Sequence, residues 1–268
     1  MKFKIAVCQF KIKFSEPDEN LKRAEAFIKK ASSKAQLIVF PENFVTGPIE
    51  ANIELADSTH KYCKQFQHLA KKHKIAIVAG TIIEKEKSNL YNTAYYIEKD
   101  GKIKSKYRKI HLWHSERKSF TAGKDITVFN TEFGKIGLAI CWDLIFPEMI
   151  REMVKKNVEI VICPSYWNYG DAGIGLRYNK DAEVILASSL SVGRAFENEI
   201  IFVFCNASGE GYTNFQYTPF GHSQITAPFI GTVKKLEHNK EELFIQEVDT
   251  AILKEAEINY KIRQDLKR

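Results

Sequence analysis

A glutamate, a lysine and a cysteine stand in three segments whose residues suit nucleophilic chemistry on a carbonyl carbon. They are Glu42 in Phe40-Pro41-Glu42-Asn43, Lys109 in Tyr107-Arg108-Lys109-Ile110-His111-Leu112, and Cys141 in Ile140-Cys141-Trp142-Asp143. A free thiol titrates near ~8.5 and is only slightly ionised at neutral pH, so a nucleophilic cysteine needs a partner that takes its proton. A carboxylate can serve as that general base, and an ammonium favours negative charge as it develops on the attacked oxygen. Such a trio needs neither a metal nor an organic cofactor. Each residue also has a purely structural use: Glu42 as a cap on the next segment, Lys109 as one charge of a basic face, Cys141 as buried packing.

The positions of the three argue for the chemical use. Residues 36–40 form a short apolar run that stops at Pro41-Glu42-Asn43, and residues 135–140 form another that stops at Cys141, a few residues before a proline-led helix over 147–157. Strand ends are where α/β proteins place reactive groups, and a thiol at a strand-to-helix turn can protrude toward a substrate. A Cys–His pair using His111, His114 or His222 is the rival assignment. The residues around Cys141 lack the local pattern of papain-like thiol hydrolases, and His111 and His222 suit structural hydrogen bonds in loops.

The remaining elements frame these ends. Alternation predicts a strand over 3–10, and apolar residues at helical spacing predict a helix over 18–34. A helix over 62–73, strands over 75–80 and 90–98, and an Asp100-Gly101 turn onto 102–105 follow. The second half repeats the alternation with a strand over 158–163, a helix over 181–196 and a strand over 200–206, then becomes β-rich over 221–226, 230–235 and 243–248. Strands alternating with helices predict sheets covered by helices. With no Pro-, Gly- or Ser-rich linker, residues 1–268 are expected to be one domain, 251–268 being a charged tail that docks on it or on a partner subunit.

Composition narrows the function classes. The chain of 268 residues carries 40 Lys and Arg against 33 Asp and Glu, a formal charge of +7, with 44% hydrophobic and 27% charged residues. Those values are globular rather than disordered. No apolar run approaches the ~18 residues that span a bilayer, and the first residues alternate as a strand rather than forming a signal peptide, so a cytoplasmic protein without membrane partners is expected. The basic runs 71–74, 102–109 and 155–156 interleave with acids and accompany no nucleic-acid-binding signature, which leaves a nucleic-acid-binding protein as the weaker reading. The other cysteines, Cys8, Cys63, Cys163 and Cys205, are scattered among apolar runs and read as packing, not as disulfides or a zinc site.

Taken together, the three segments resemble the nitrilase superfamily of carbon-nitrogen hydrolases, in that family's order. The resemblance extends from Ile5-Ala6-Val7-Cys8-Gln9-Phe10 to Gly221-His222-Ser223 and includes Arg194-Ala195-Phe196-Glu197-Asn198. It implies an α/β fold, a four-layer αββα sandwich, in which Cys141 is the nucleophile, Glu42 the base and Lys109 the oxyanion cation. The Trp142 N–H is then a second oxyanion donor. Glu116 matches a further family glutamate through Glu116-Arg117-Lys118-Ser119-Phe120-Thr121-Ala122-Gly123, with Ala122 where the family has proline.

The resemblance further implies a small amide or nitrile substrate, hydrolysed through a thioester or thioimidate, and a homodimer or larger homo-oligomer. Cys141-Trp142-Asp143 follows the amidase-like branches, true nitrilases tending to Cys-Trp-Glu. Relatives that cleave N-carbamoyl amino acids carry arginines three and four residues beyond the cysteine. Leu144 and Ile145 stand there instead, which predicts an uncharged amide unless Arg151, Arg177 or Arg194 receives a carboxylate. Tyr166, Trp167 and Ile145 are the expected pocket residues, with an aromatic packing cluster as the alternative for the first two.

Overall fold

The computed structural model describes residues 1–49 and 53–266; the last two residues of the expected tail lie outside them. Two six-stranded sheets form the centre. The first contains β1 (Lys2–Gln9), β2 (Leu37–Val39), β3 (Ala76–Glu86), β4 (Asn89–Ile97), β5 (Ile103–Arg108) and, from the far end of the chain, β12 (Glu242–Asp249), in the order β12-β1-β2-β3-β4-β5. The second contains β6 (Val128–Thr131), β7 (Gly134–Leu138), β8 (Ile160–Ser165), β9 (Ile201–Asn206), β10 (Gln224–Ala227) and β11 (Gly231–Lys235), in the order β11-β10-β9-β8-β7-β6. In each sheet three central strands run parallel, β1-β2-β3 and β7-β8-β9, and antiparallel strands flank them.

Side-chain alternation assigns the layers. Along β1, Phe3, Ile5 and Val7 join a core shared with Ile136, Leu138, Ile160 and Ile162 of the second sheet. Ala6 and Cys8 point the other way, onto α1 (Pro17–Ser32) and α2 (Lys61–His73), through Leu21, Ala24, Ile28, Cys63 and Phe66. The second sheet is covered by α4 (Pro147–Lys155) and α5 (Ala182–Asn198), with Met149, Ile150 and Met153 of α4 in the core. This is the expected α/β sandwich of two sheets between helical layers. Pro147 opens α4 because its missing N–H is not needed in the first turn.

Two elements depart from the sequence reading. Edge strand β6 and the four-residue helix α3 (Glu116–Ser119) were not expected, being too short to show a period. The charged tail is ordered as α6 (Ala251–Tyr260) and α7 (Ile262–Asp265), with Leu253 and Ala256 buried and Arg263 donating to the carbonyls of Val158 and Glu199. The basic runs are largely neutralised at the surface: Lys72 pairs with Glu25, Lys102 with Asp100, Lys104 with Glu98 and Lys155 with Glu152. No helix among the described residues is long and apolar enough to cross a membrane.

Candidate active site

Glu42 follows β2 by three residues, where the chain crosses over β3. A Cβ on Gly80 would lie 2.1 Å from the carbonyl oxygens of both Phe40 and Pro41, so only glycine permits the crossing. Beyond it Asn43 takes a left-handed conformation (φ 57°), held by its N–H on Thr81 Oγ1 at 2.7 Å. The Glu42 carboxylate is thereby buried and meets three donors: Lys109 Nζ at 2.8 Å and Asn92 Nδ2 at 2.7 Å on Oε1, and the Tyr166 amide at 2.8 Å on Oε2.

Lys109 leaves the end of β5 and is as buried as Glu42. Its ammonium lies 2.8 Å from Glu42 Oε1 and 2.8 Å from Glu116 Oε2. The segment Thr121-Ala122-Gly123 fixes the lysine backbone. The Gly123 N–H donates to the Lys109 carbonyl at 2.8 Å, and a Cβ there would sit 2.1 Å from the Arg108 carbonyl oxygen. Glu116 Oε2 also accepts from the Trp113 amide at 2.7 Å, and Glu116 Oε1 from Asn92 Nδ2 at 3.2 Å. Asn92, in the middle of β4, thus donates to both glutamates. It went unnoticed in the sequence, although an asparagine between Leu90 and Ala94 on the buried face of a strand was a visible signal.

Cys141 ends the run begun by β7 and starts a short 3-10 turn, Cys141–Ile145, with φ at 46°. A non-glycine residue in that region costs of order 1 kcal/mol, and such strain clusters at functional sites. Asp143 holds the turn in place. Its carboxylate is fully buried and accepts from Tyr107 Oη (2.7 Å), the amides of Ile140 (2.9 Å) and His111 (3.0 Å), and His111 Nδ1 (2.8 Å). His111, one candidate of the Cys–His alternative, is therefore occupied with Asp143 and stacks on Phe146 at 3.7 Å between ring centroids. Trp142 is the second residue of the turn, where backbone amides have no acceptor within the turn itself.

A cavity of about 460 Å³ opens onto this arrangement. Glu42, Lys109, Glu116, Cys141, Trp142, Tyr166 and Trp167 all line it, and no histidine does among the described residues. Tyr166 and Trp167 also belong to the aromatic packing that was the alternative for them: Trp167 is buried against Phe204 and Phe220, its Nε1 bonded to Glu183 at 2.6 Å. Ile145 does not line the cavity. It ends the turn packed against the core, with its carbonyl, like that of Leu144, facing the Arg194 guanidinium. Arg194 is spent on those carbonyls and Glu197, Arg151 bonds the Glu197 carbonyl, and Arg177 is exposed.

Burial sets the electrostatics. Desolvation, reinforced by the Glu42 charge and only partly offset by Lys109, pushes the Cys141 thiol well above its ordinary range. Burial raises the Glu42 carboxyl too, against the pull of Lys109. For Lys109, burial opposes the charged form, but Glu116 and Glu42 outweigh it and hold the ammonium well above its usual range. The resting site is a neutral thiol beside a carboxylate with raised proton affinity and a permanently charged lysine. It can pass a proton from sulfur to carboxylate when an acyl carbon is attacked.

The carbon-nitrogen hydrolase family model matches residues 4–257. This chain belongs to the carbon-nitrogen hydrolase family. Over 233 residues it is 34% identical to the 2-oxoglutaramate amidase of Bacillus subtilis (strain 168), covering 85% of this chain and 84% of that protein. It is 31% identical over 267 residues to a protein named nitrilase from Pyrococcus abyssi, covering 96% and 93%. The crystal structure of Saccharomyces cerevisiae Nit3, described as a member of branch 10 of the nitrilase superfamily, superposes with a TM-score of 0.82 at 27% identity over 96% of this chain and 93% of that one. This family member thus shares the sandwich as well as sequence with its relatives.

Proposed function

We propose that the protein is a thiol-dependent amidase that hydrolyses a small linear amide to a carboxylic acid and ammonia or an amine. The observation that carries this reading is the Glu42 carboxylate, bonded to the Lys109 ammonium at 2.8 Å and opening with Cys141 into one cavity. Glu42 takes the Cys141 proton while the sulfur attacks the amide carbon. The oxygen gains negative charge, stabilised by Lys109 and the Trp142 amide. Glu42 returns the proton to the leaving nitrogen as the C–N bond breaks, leaving a thioester. Water then gives a proton to Glu42 as it attacks the thioester, and the thiolate recovers that proton on departure. Glu116, fixed by Asn92 and Trp113, keeps Lys109 charged and oriented.

The amide reading is favoured over the nitrile by relatives named for amidase activity, including the omega-amidase NIT3 of Saccharomyces cerevisiae. Cys141→Ala is expected to abolish ammonia release from amides with an unchanged circular dichroism spectrum. Mass spectrometry of the wild type should find the acyl group on the Cys141 peptide. Near wild-type turnover by the alanine variant would sink the nucleophile assignment, and faster ammonia release from nitriles than from matched amides would reverse the substrate class. We also propose that residues 1–268 form one hydrolase domain and that it self-associates through the exposed apolar group Phe229, Ile230, Ile258 and Tyr260.

A further inference from the structure

The wall away from Cys141 carries groups that the hydrolytic steps do not use. Asp171, in the turn Tyr169–Arg177, lines the cavity together with Asn168. One carboxylate oxygen, Oδ2, accepts from the Asn168 amide at 2.8 Å, which closes the turn. The Asn168 side chain is turned toward the same turn, its oxygen shielded from solvent. Asp171 is therefore the group on this wall that can present a negative charge to the cavity.

The balance of charge in the cavity points the same way. Among the described residues Lys109 is the one cation lining it, and both of its short contacts are to carboxylates. The acids lining it are Glu42, Glu116 and Asp171. A carboxylate on the substrate would enter a negatively charged space with no free cation to receive it, whereas an ammonium would find an acceptor, with Tyr166 and Tyr217 also on the cavity wall. Burial, helped by the charge of Glu183 and Glu42, raises the Asp171 carboxyl to about 6, so it is mostly ionised at neutral pH.

We infer that Asp171 forms a specificity subsite for a protonated amine at the far end of the substrate, so that a small amino-amide is preferred to the monoamide of a dicarboxylic acid. This rests on the amidase reading and deepens it. The matched substrates are 5-aminopentanamide, pentanamide and the monoamide of glutaric acid, compared by kcat/KM for ammonia release. The wild type should favour 5-aminopentanamide over pentanamide by about tenfold, the size of one charge-assisted hydrogen bond, and the acid least of all. Asp171→Asn should erase most of that ratio and Asp171→Glu retain part of it, a change in selectivity that loss of turn geometry alone would not produce.

Preference for the dicarboxylic monoamide, or an unchanged ratio in Asp171→Asn, overturns the subsite. Should no amide be turned over, calorimetric binding to Cys141→Ala separates the two proposals. Tighter binding of 5-aminopentanamide than of pentanamide would uphold the subsite while the amidase reading falls, and equal binding would reject both.

Discussion

Two buried glutamates, Glu42 and Glu199, show how neighbours decide what a carboxyl group does. Both are nearly or fully inaccessible, and burial pushes both upward in proton affinity. Glu42 faces donors only: an ammonium, an amide side chain and a backbone N–H, all within 2.8 Å. Glu199, at the left-handed residue after α5, faces the carboxyl of Glu257 on α6, with the Ile262 amide at 3.3 Å and the Arg263 guanidinium no nearer than 3.9 Å. The first can carry charge and wait for a proton. The second has its proton affinity raised by another acid, and its contacts with Ile262 and Arg263 make it a clasp on the C-terminal helices.

The comparison breaks most completely if the cation is removed from the first cluster. Lys109→Met should leave Glu42 and Glu116 buried without their counter-charge and cost ~3 kcal/mol or more of stability, as removal of one partner from a buried ion pair does. Urea titration would measure it, and no amidase activity should remain. A stability within ~1 kcal/mol of wild type would mean that water already shares the charge of this cluster.

Glu42→Gln tests the other half of the pair more gently. The amide can still accept from Lys109, but its NH2 then opposes the Tyr166 N–H, a loss of ~1–3 kcal/mol. Turnover should fall by ~10²–10⁴, the range of a lost general base. The proposed base acts as the ionised carboxylate, so the acidic limb of wild-type activity should lie above the usual carboxylate range because burial raises Glu42. An acidic limb at or below ~4 would contradict that base.

How much of this was legible beforehand follows from how local each feature is. Glu42 and Cys141 stand where apolar runs stop, and a strand end is written in neighbouring residues. That Glu42 and Lys109 meet is not local: it depends on Gly80 letting the β2 end cross over β3 and on Gly123 pinning β5. Asp143 read as a marker of substrate class and proves to be the brace between Tyr107, His111 and the cysteine turn, contacts 32 and 36 residues away in sequence. Ile145 failed as a pocket residue because position relative to Cys141 does not reveal which way a 3-10 turn rotates its side chains. Asp171 stands between Gly170 and Gly173 with no local signal of chemistry, and only its place on the cavity wall reveals its charge.

The smallest expected effect concerns the second cluster and is a matter of pH. Glu199 is raised to about 7 by burial and by the Glu257 carboxyl, against the Ile262 amide and Arg263. Unfolded, a glutamate titrates near ~4.3. A group whose folded proton affinity is raised contributes stability that is full below the unfolded value and is lost as pH rises through the folded one. The clasp should therefore be tight near pH 5 and slacken between about 5 and 7, with Arg263, itself near Glu159, retaining part of the contact. Hydrogen exchange of α6 and α7, corrected for the intrinsic rate, should accelerate across that window while β1 and β8 stay protected. Glu257→Gln removes the second acid and should flatten the dependence. Exchange in α6 that ignores pH in the wild type, or a variant that keeps the wild-type slope, would show that the Glu257 carboxyl does not govern the Glu199 clasp.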